Sequence, residues 1–277
     1  KYSALAHYLE SVGLVSAVNP FVEPEAASFD MLAAAHAADY VRGCFDLSLD
    51  RKAQRVIGFE LTDAVVRRSR LSCGGSYLAG KIALREGVAC SAAGGSHHAK
   101  REGGAGFCVF NDVGVAVSAL LAEGAIRRAM VIDCDVHQGD GTADIFRADA
   151  DVFTLSLHCE KNWPTRKVPS DLDVGLDEGV TDGPYLGALD RALGEAFDRF
   201  RPDIVYYNAG VDPHVDDRLG KLSLSDQGIA ARDEFVMNYV AAKAVPIVGV
   251  LGGGYSRDIA LLARLHGAMF HAASMLD

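Results

Sequence analysis

The residues able to do chemistry in this chain are histidines and aspartates at short spacings. In Asp133-Cys134-Asp135-Val136-His137, two carboxylates and an imidazole recur at every second position. On an extended backbone alternate side chains share one side, so Asp133, Asp135 and His137 would face together, with Cys134 and Val136 opposite. A carboxylate and an imidazole so placed can reach one divalent cation. A third ligand is expected from Asn208-Ala209-Gly210-Val211-Asp212, where Asp212 lies just past another apolar run. Two carboxylates and one imidazole cancel the charge of a divalent ion and leave a position open to water, as a catalytic site requires. A lone Asp-x-His is as much at home capping a helix; its companions elsewhere in the chain are what single this one out.

The first companion is Gly94-Gly95-Ser96-His97-His98-Ala99. Two imidazoles in sequence could move a proton beside a metal, and each needs a carboxylate or carbonyl to fix its tautomer. With Asp135 given to the metal, Asp133 and Asp140 are the spare carboxylates. The second is Gly252-Gly253-Gly254-Tyr255. Glycines let the backbone approach a ligand closely, and a Tyr just past them could donate its hydroxyl to a developing oxyanion; the plainer alternative is a turn followed by a packing Tyr. Together these groups point to metal-assisted hydrolysis.

The elements that must position them follow from hydrophobic pattern. Val88–Ala93, Ala129–Asp135, Val152–His158, Ile204–Ala209 and Val245–Leu251 are short apolar runs, as expected of strands buried on both faces of a parallel sheet. Helical patterns cover Gly75–Arg85, Asp112–Glu123 (with Asp112 suited to cap it), Asp182–Phe200, Ser225–Ala242 and Arg257–Met275, and the N-terminal third is mainly helical. Strands alternating with helices predict βαβ units. The fold expected is α/β, a single three-layer αβα domain over residues 1–277 with a central, mostly parallel β-sheet. Trp163–Pro169 is the longest loop-like insert, and long loops in compact domains are often functional. The chemistry then falls at strand ends, where open α/β sheets place it.

Composition sets the outer limits. The 277 residues carry a net charge of −10, which argues against a nucleic-acid surface. No apolar run approaches the roughly 20 residues of a membrane span, and the opening residues carry no secretory signal. Six scattered cysteines without a Cys-x-x-Cys pair read as reduced thiols, hence a cytoplasmic protein.

The motifs Gly-Gly-Ser-His97-His98-Ala, Gly106-Phe107-Cys108-Val109-Phe110-Asn111-Asp112, Asp133-Cys-Asp135-Val-His137-Gln-Gly-Asp140-Gly, Asn208-Ala-Gly-Val-Asp212 and Gly-Gly-Gly-Tyr255 resemble, in order, those of the histone deacetylase superfamily. The likeness runs from about His36, where His36 to Val41 resembles an early His-x-x-x-Tyr element, to the C-terminus. The stretch Asp217-Arg218-Leu219-Gly220 through Arg232-Asp233, together with Gln138, looks most like the class IV branch and its bacterial relatives. The resemblance implies the arginase/deacetylase fold and a lysine deacylase. It implies zinc, or alternatively ferrous iron, on Asp135, His137 and Asp212. It implies His97 and His98 at the attacking water, backed by Asp133 and Asp140 respectively, with either as base. Tyr255 would polarise the carbonyl. Gly106, Phe107 and Trp163 would line an acyl-lysine channel, Trp163 facing Phe107 across it. A structural potassium ion would sit at Asp133, Asp135, His137, Ser156 and Leu157.

Three rivals remain open at this stage. A deacetylase of small acetylated amines such as acetylpolyamines would use the same site. An arginase-like ureohydrolase would need a second metal and an Asp where Gly139 stands. A non-catalytic acyl-lysine binding module would be expected to have lost a ligand or the Tyr, and this chain keeps them. Within the deacylase reading, Gly103, Gly104 and Gly106 are expected to leave room for acyl chains longer than acetyl.

Overall fold

Val131 and Ile132 show how the chain is layered. They are neighbours on one strand, so their side chains leave opposite faces of the sheet, and each is buried in a different hydrophobic core. The computed structural model describes residues 1–276. In chain order its elements are α1 (Tyr2–Ser11), α2 (Phe29–Ala35), α3 (Ala38–Phe45), α4 (Arg51–Ile57), α5 (Asp63–Glu86), β1 (Val88–Cys90), α6 (Asp112–Ala122), β2 (Ala129–Asp133) and α7 (Asp140–Phe146). They continue with β3 (Val152–Cys159), β4 (Leu172–Leu176), α8 (Asp182–Arg199), β5 (Ile204–Asn208), α9 (Asp226–Ala241), β6 (Ile247–Val250) and α10 (Ile259–Ser274). Among the described residues the strands form one six-stranded sheet, ordered β1-β6-β5-β2-β3-β4 and parallel at every pairing. One core packs α1, α8, α9 and α10 on one face; the other packs α2, α3, α5 and α6 on the opposite face. This is the three-layer αβα architecture expected.

The connectivity places the site. From β2 the chain steps outward through β3 to β4, then returns to β5 and steps the other way to β6. The direction reverses between β2 and β5, and ligands of open α/β sheets bind at that point, outside the carboxyl ends of the strands. Asp133 ends β2 opposite Asn208, which ends β5.

Three expectations need correcting. The apolar runs at residues 88–93, 129–135 and 204–209 pair only as far as Cys90, Asp133 and Asn208, because the chain then leaves the ladder to build loops. β4 went unforeseen, since at the sheet edge its side chains alternate between half-buried and exposed and show no continuous apolar run. Asp112 does not cap α6: Asn111 does, accepting from the Gly114 N–H, while the buried Asp112 carboxylate accepts from the N–H groups of Gly95 and Ser96 and from the Ser76 hydroxyl.

His36 ties the helical N-terminal third to the loops around the site. The Asn111 N–H donates to its Nε2 at 3.0 Å and its Nδ1 donates to the Lys100 carbonyl at 2.8 Å. That pattern needs a neutral ring. Burial, aided by the charge of Arg101, pushes its pKa down from 6.5 to about 4. The folded protein therefore binds fewer protons at this ring than the unfolded chain, so stability is full above pH 6.5 and lost as the pH falls towards 4. The loss attributable to His36 is on the order of 3 kcal/mol at 1.36 kcal/mol per pKa unit. Urea unfolding from pH 7 to pH 4 should show wild type losing this much more stability than His36→Gln; parallel curves would mean the ring does not control it.

Candidate active site

Each site residue is held by backbone that the sequence bends there. After β1 the chain turns at Gly94 and Gly95, both in the left-handed region at φ 85° and 82°. A side chain on Gly95 would collide with the backbone of Gly252, so the His97-His98 loop and the triple-glycine loop can cross only because both are bare. Main-chain bonds join them, from Leu251 N to Ala93 O and from Gly252 N to Gly94 O. The Thr142 N–H at the start of α7 donates to His97 O, which fixes the dyad against the β2 loop.

Asp135, His137 and Asp212 converge. One donor atom from each lies within 4.8 Å of the others, and all three residues are buried. His137 Nδ1 is 3.1 Å from Asp135 Oδ1 and 3.2 Å from Asp212 Oδ2. Asp135 also accepts from Gly253 N at 2.6 Å and from His137 N, and Asp212 accepts from Val136 N at 2.8 Å. A Cβ at Gly253 would strike both carboxylates, so the bare turn leaves space beside them. Without a cation the cluster stores charge on protons. Burial, then the charge of Asp135, raises the Asp212 carboxyl to about 7. Burial disfavours a charged His137, yet its hydrogen bonding to both carboxylates overcomes this and lifts the ring to about 10. Two hard oxygen donors and one imidazole, with donor atoms within 4.8 Å of one another, fit a divalent cation.

The dyad lies beside this cluster, its two rings 4.0 Å apart at their centroids. His97 Nδ1 meets Asp133 at 2.7 Å and His98 Nδ1 meets Asp140 at 2.7 Å. The surroundings then diverge. The other nitrogen of His97, Nε2, faces Asp135 at 3.6 Å. Burial alone would lower its pKa, but the charges of Asp133 and Asp135 raise it to about 9. Asp140, by contrast, is shared with Lys100 Nζ at 2.9 Å, and burial with the charge of His97 lowers His98 to about 3.

The walls are aromatic. Trp163 sets its ring edge-on to His98 at 4.4 Å and crowds Gly106, whose φ is 54°. Phe107 is half exposed, near Tyr255 at 6.3 Å, and Tyr255 is in turn 6.4 Å from His137. Trp163 and Phe107 thus flank Gly106, one against the dyad and one against Tyr255. Ser156 pairs with Asp133 across β2 and β3, so Ser156 and Leu157 lie beside the end of β2, from which Asp135 and His137 follow. Ser156 Oγ accepts from the Gly139 N–H and lies 3.0 Å from His158 Nδ1.

Several supporting residues carried no legible role in the sequence. Asn208 donates to Asp133, and Asp217 accepts from the Tyr255 N–H at 2.6 Å and from Leu219 and Gly220. The carbonyls of Val56 and Ile57 at the end of α4 accept from Gly106 N and Phe107 N. Bare Gly58 makes room for the Phe107 ring. Asn208 and Asp217 lay inside quoted motifs, so their presence was visible and their partners were not. The glycines expected to open space do not do so together: Gly103 faces open space, whereas Gly104 and Gly106 are packed closely by Tyr40, Ile57, His98 and Trp163.

Fold and site together define a three-layer α/β protein with a buried carboxylate–imidazole cluster that could hold a cation. A model of the histone deacetylase domain matches residues 1–272. An uncharacterized protein of Picosynechococcus sp. is 42% identical over 251 residues, spanning 91% of this chain and 84% of the relative. Histone deacetylase 2 of Arabidopsis thaliana is 32% identical over 271 residues, spanning 94% of this chain and 69% of that protein. Among solved structures, an HDAC homologue complexed with SAHA superposes with a TM-score of 0.84 at 25% identity, covering 98% of this chain and 77% of that one. Acetylpolyamine aminohydrolase from Burkholderia pseudomallei shares the fold, with a TM-score of 0.80 at 22% identity over 99% of this chain and 90% of that one. The chain belongs to the histone deacetylase family and is a hydrolase of the deacetylase type, a family whose fold implies a catalytic divalent metal.

Asp212→Ala removes one of the three donors. The variant should lose its cation on dialysis that leaves wild type loaded, because a site with two protein ligands holds the ion poorly. Metal analysis after dialysis checks this; equal metal content in both proteins would exclude Asp212 as a ligand.

Proposed function

We propose that the protein hydrolyses the amide of acyl-lysine in proteins or peptides, with zinc on Asp135, His137 and Asp212. The observation that carries the reading is the buried donor trio beside two carboxylate-backed histidines, under Tyr255 and an aromatic wall. Bound zinc would acidify water and polarise the amide carbonyl. His98 is the base in this proposal. Its Nδ1–H is engaged by Asp140, which leaves Nε2 to take a proton from the attacking water, and the Lys100 ion pair keeps Asp140 ionised. His97, with carboxylates facing both nitrogens, stays protonated and stabilises the charge that develops nearby. The Tyr255 hydroxyl, its pKa raised by burial and by the charges of Asp212 and Asp135, remains protonated and donates to the oxyanion. The proton on His98 then passes to the leaving amine. Phe107 and Trp163 flank the lysine methylenes, each of which gains about 0.8 kcal/mol on burial. Potassium at Asp133, Asp135, His137, Ser156 and Leu157 belongs to the same proposal and would brace the strand ends. A reducing, cytoplasmic setting fits the six cysteines, all free of disulfides.

Acyl length is the finer question. A cavity of about 790 Å³ lies beside Ser96, the neighbour of the dyad, and reaches Phe107, Val109, Tyr2, Leu78 and Phe270. A modest preference for acyl chains longer than acetyl is part of the same proposal; the donor trio, the dyad and Tyr255 do not line this cavity. Small acetylated amines are the second reading, because an acetylpolyamine aminohydrolase has the same fold.

Tyr255→Phe should keep zinc and fold yet lower kcat by about 10²–10³, the effect of losing one oxyanion donor. Normal turnover by the Phe variant would leave Tyr255 a packing residue. For substrate, kcat/KM is to be compared across an acyl series on one lysine peptide and on acetylated polyamines. A maximum beyond acetyl on the peptide is expected. A steady fall from acetyl onward refutes the length preference, and higher efficiency on the polyamines refutes the peptide assignment.

A further inference from the structure

Arg232 is the largest fully buried side chain among the described residues, and the chemistry described so far makes no use of it. It projects from α9, two turns into the helix, and pairs with its neighbour Asp233 at 2.8 Å, both side chains wholly buried. Asp233 also accepts from the Tyr207 hydroxyl. An ion pair of this kind is weak evidence for stability, since removing two charges from water costs about what their attraction returns. Its position carries more information than its existence. Arg232 Nη1 donates to the Gly210 carbonyl at 2.5 Å and to the Cys134 carbonyl at 3.3 Å, and Nη2 reaches the Ala209 carbonyl at 3.5 Å.

Those carbonyls lie just past the points where β2 and β5 stop, at Asp133 and Asn208. Chain beyond a strand end has left the ladder, and buried carbonyls there need another donor. Cys134 immediately precedes Asp135, and Gly210 lies two residues before Asp212. One planar guanidinium thus grips the backbone next to each carboxylate of the donor trio. The loops bearing the two carboxylates come from different strands, β2 and β5. Arginine is suited to this because its five N–H donors form a rigid fork. A lysine ammonium in the same place would be a single flexible point of contact.

We propose that Arg232 is a positioning residue for the metal site, setting the spacing of Asp135 and Asp212 through the backbone that carries them. The inference rests on the assignment of those two residues as ligands. Three proteins distinguish it from a purely structural role. Arg232→Lys keeps the charge against Asp233 and loses the fork. Arg232→Gln keeps one amide donor and no charge. Asp233→Asn breaks the ion pair and leaves the grip on the carbonyls intact. Zinc dissociation constants come from chelator competition, apo-protein Tm from thermal unfolding, and ligand geometry from the absorption spectrum of the cobalt(II)-loaded protein.

The expected result is zinc affinity lower by about 10- to 100-fold in the Arg232 variants, the range seen when groups that orient metal ligands are removed. Their cobalt spectra should change as well. Asp233→Asn should lower the apo-protein Tm and keep zinc affinity within about twofold of wild type. Unchanged zinc affinity in either folded Arg232 variant overturns the proposal, and so does an equal loss of affinity in Asp233→Asn. Wild-type protein that takes up no stoichiometric zinc fails the ligand assignment itself, which is a separate result read before any variant is compared.

Discussion

Two buried carboxylates forced into one small space are the constraint around which the rest of this molecule is arranged. Asp135 and Asp212 both approach the same imidazole nitrogen of His137, and both are shut away from water. Charges so placed need compensation on every side. The backbone supplies much of it, with Gly253 N, His137 N and Val136 N donating to their oxygens. The triple glycine matters for the same reason: only a bare backbone brings an N–H so near a carboxylate that any Cβ would strike.

The same electrostatic economy separates the two dyad histidines. Their carboxylate partners stand at equal distances, so distance does not distinguish them. What differs is the next neighbour. Asp133 meets the amide of Asn208, a neutral donor, whereas Asp140 meets the ammonium of Lys100. Asp135 adds a second negative charge on the His97 side. Nearby negative charge thereby raises the pKa of one ring, while burial and the charge of His97 lower that of the other. Such divergence of two like groups is how a site obtains an acid and a base from one residue type.

Around this centre the walls are braced by loops that have no chemistry of their own. The carbonyl end of α4 holds Gly106 and Phe107, and Asp217 holds both Tyr255 and the turn at Leu219 and Gly220. Asn162 donates to the Leu219 carbonyl, so the Trp163 loop and the Asp217 loop share a hydrogen bond. The Trp163 loop and Tyr255 are therefore linked through hydrogen bonds of the Asn162 and Asp217 side chains.

Much of this was legible in the residues alone. Continuous apolar runs announced the buried parallel strands, because a strand covered on both faces cannot alternate. Asp133, Asp135, His137, His97, His98, Asp212 and Tyr255 stood out because their types and spacings suit one chemistry; that Asp133 backs His97 and Asp140 backs His98 came only from the family resemblance. The edge strand β4 escaped because partial exposure erased its pattern. Asp112 was misread as a cap because a local rule cannot see that Gly95 and Ser96 return to it from sixteen or more residues away. Only tertiary structure decided that Lys100 joins Asp140 behind His98 while Asp135 faces His97, that Arg232 grips the carbonyls beside Asp135 and Asp212, and that Gly104 and Gly106 are closely packed. Propensity and periodicity act over a few residues and survive in the sequence, whereas electrostatic asymmetry and cavity shape arise from groups brought together across the sheet, where only the folded chain sets the distances.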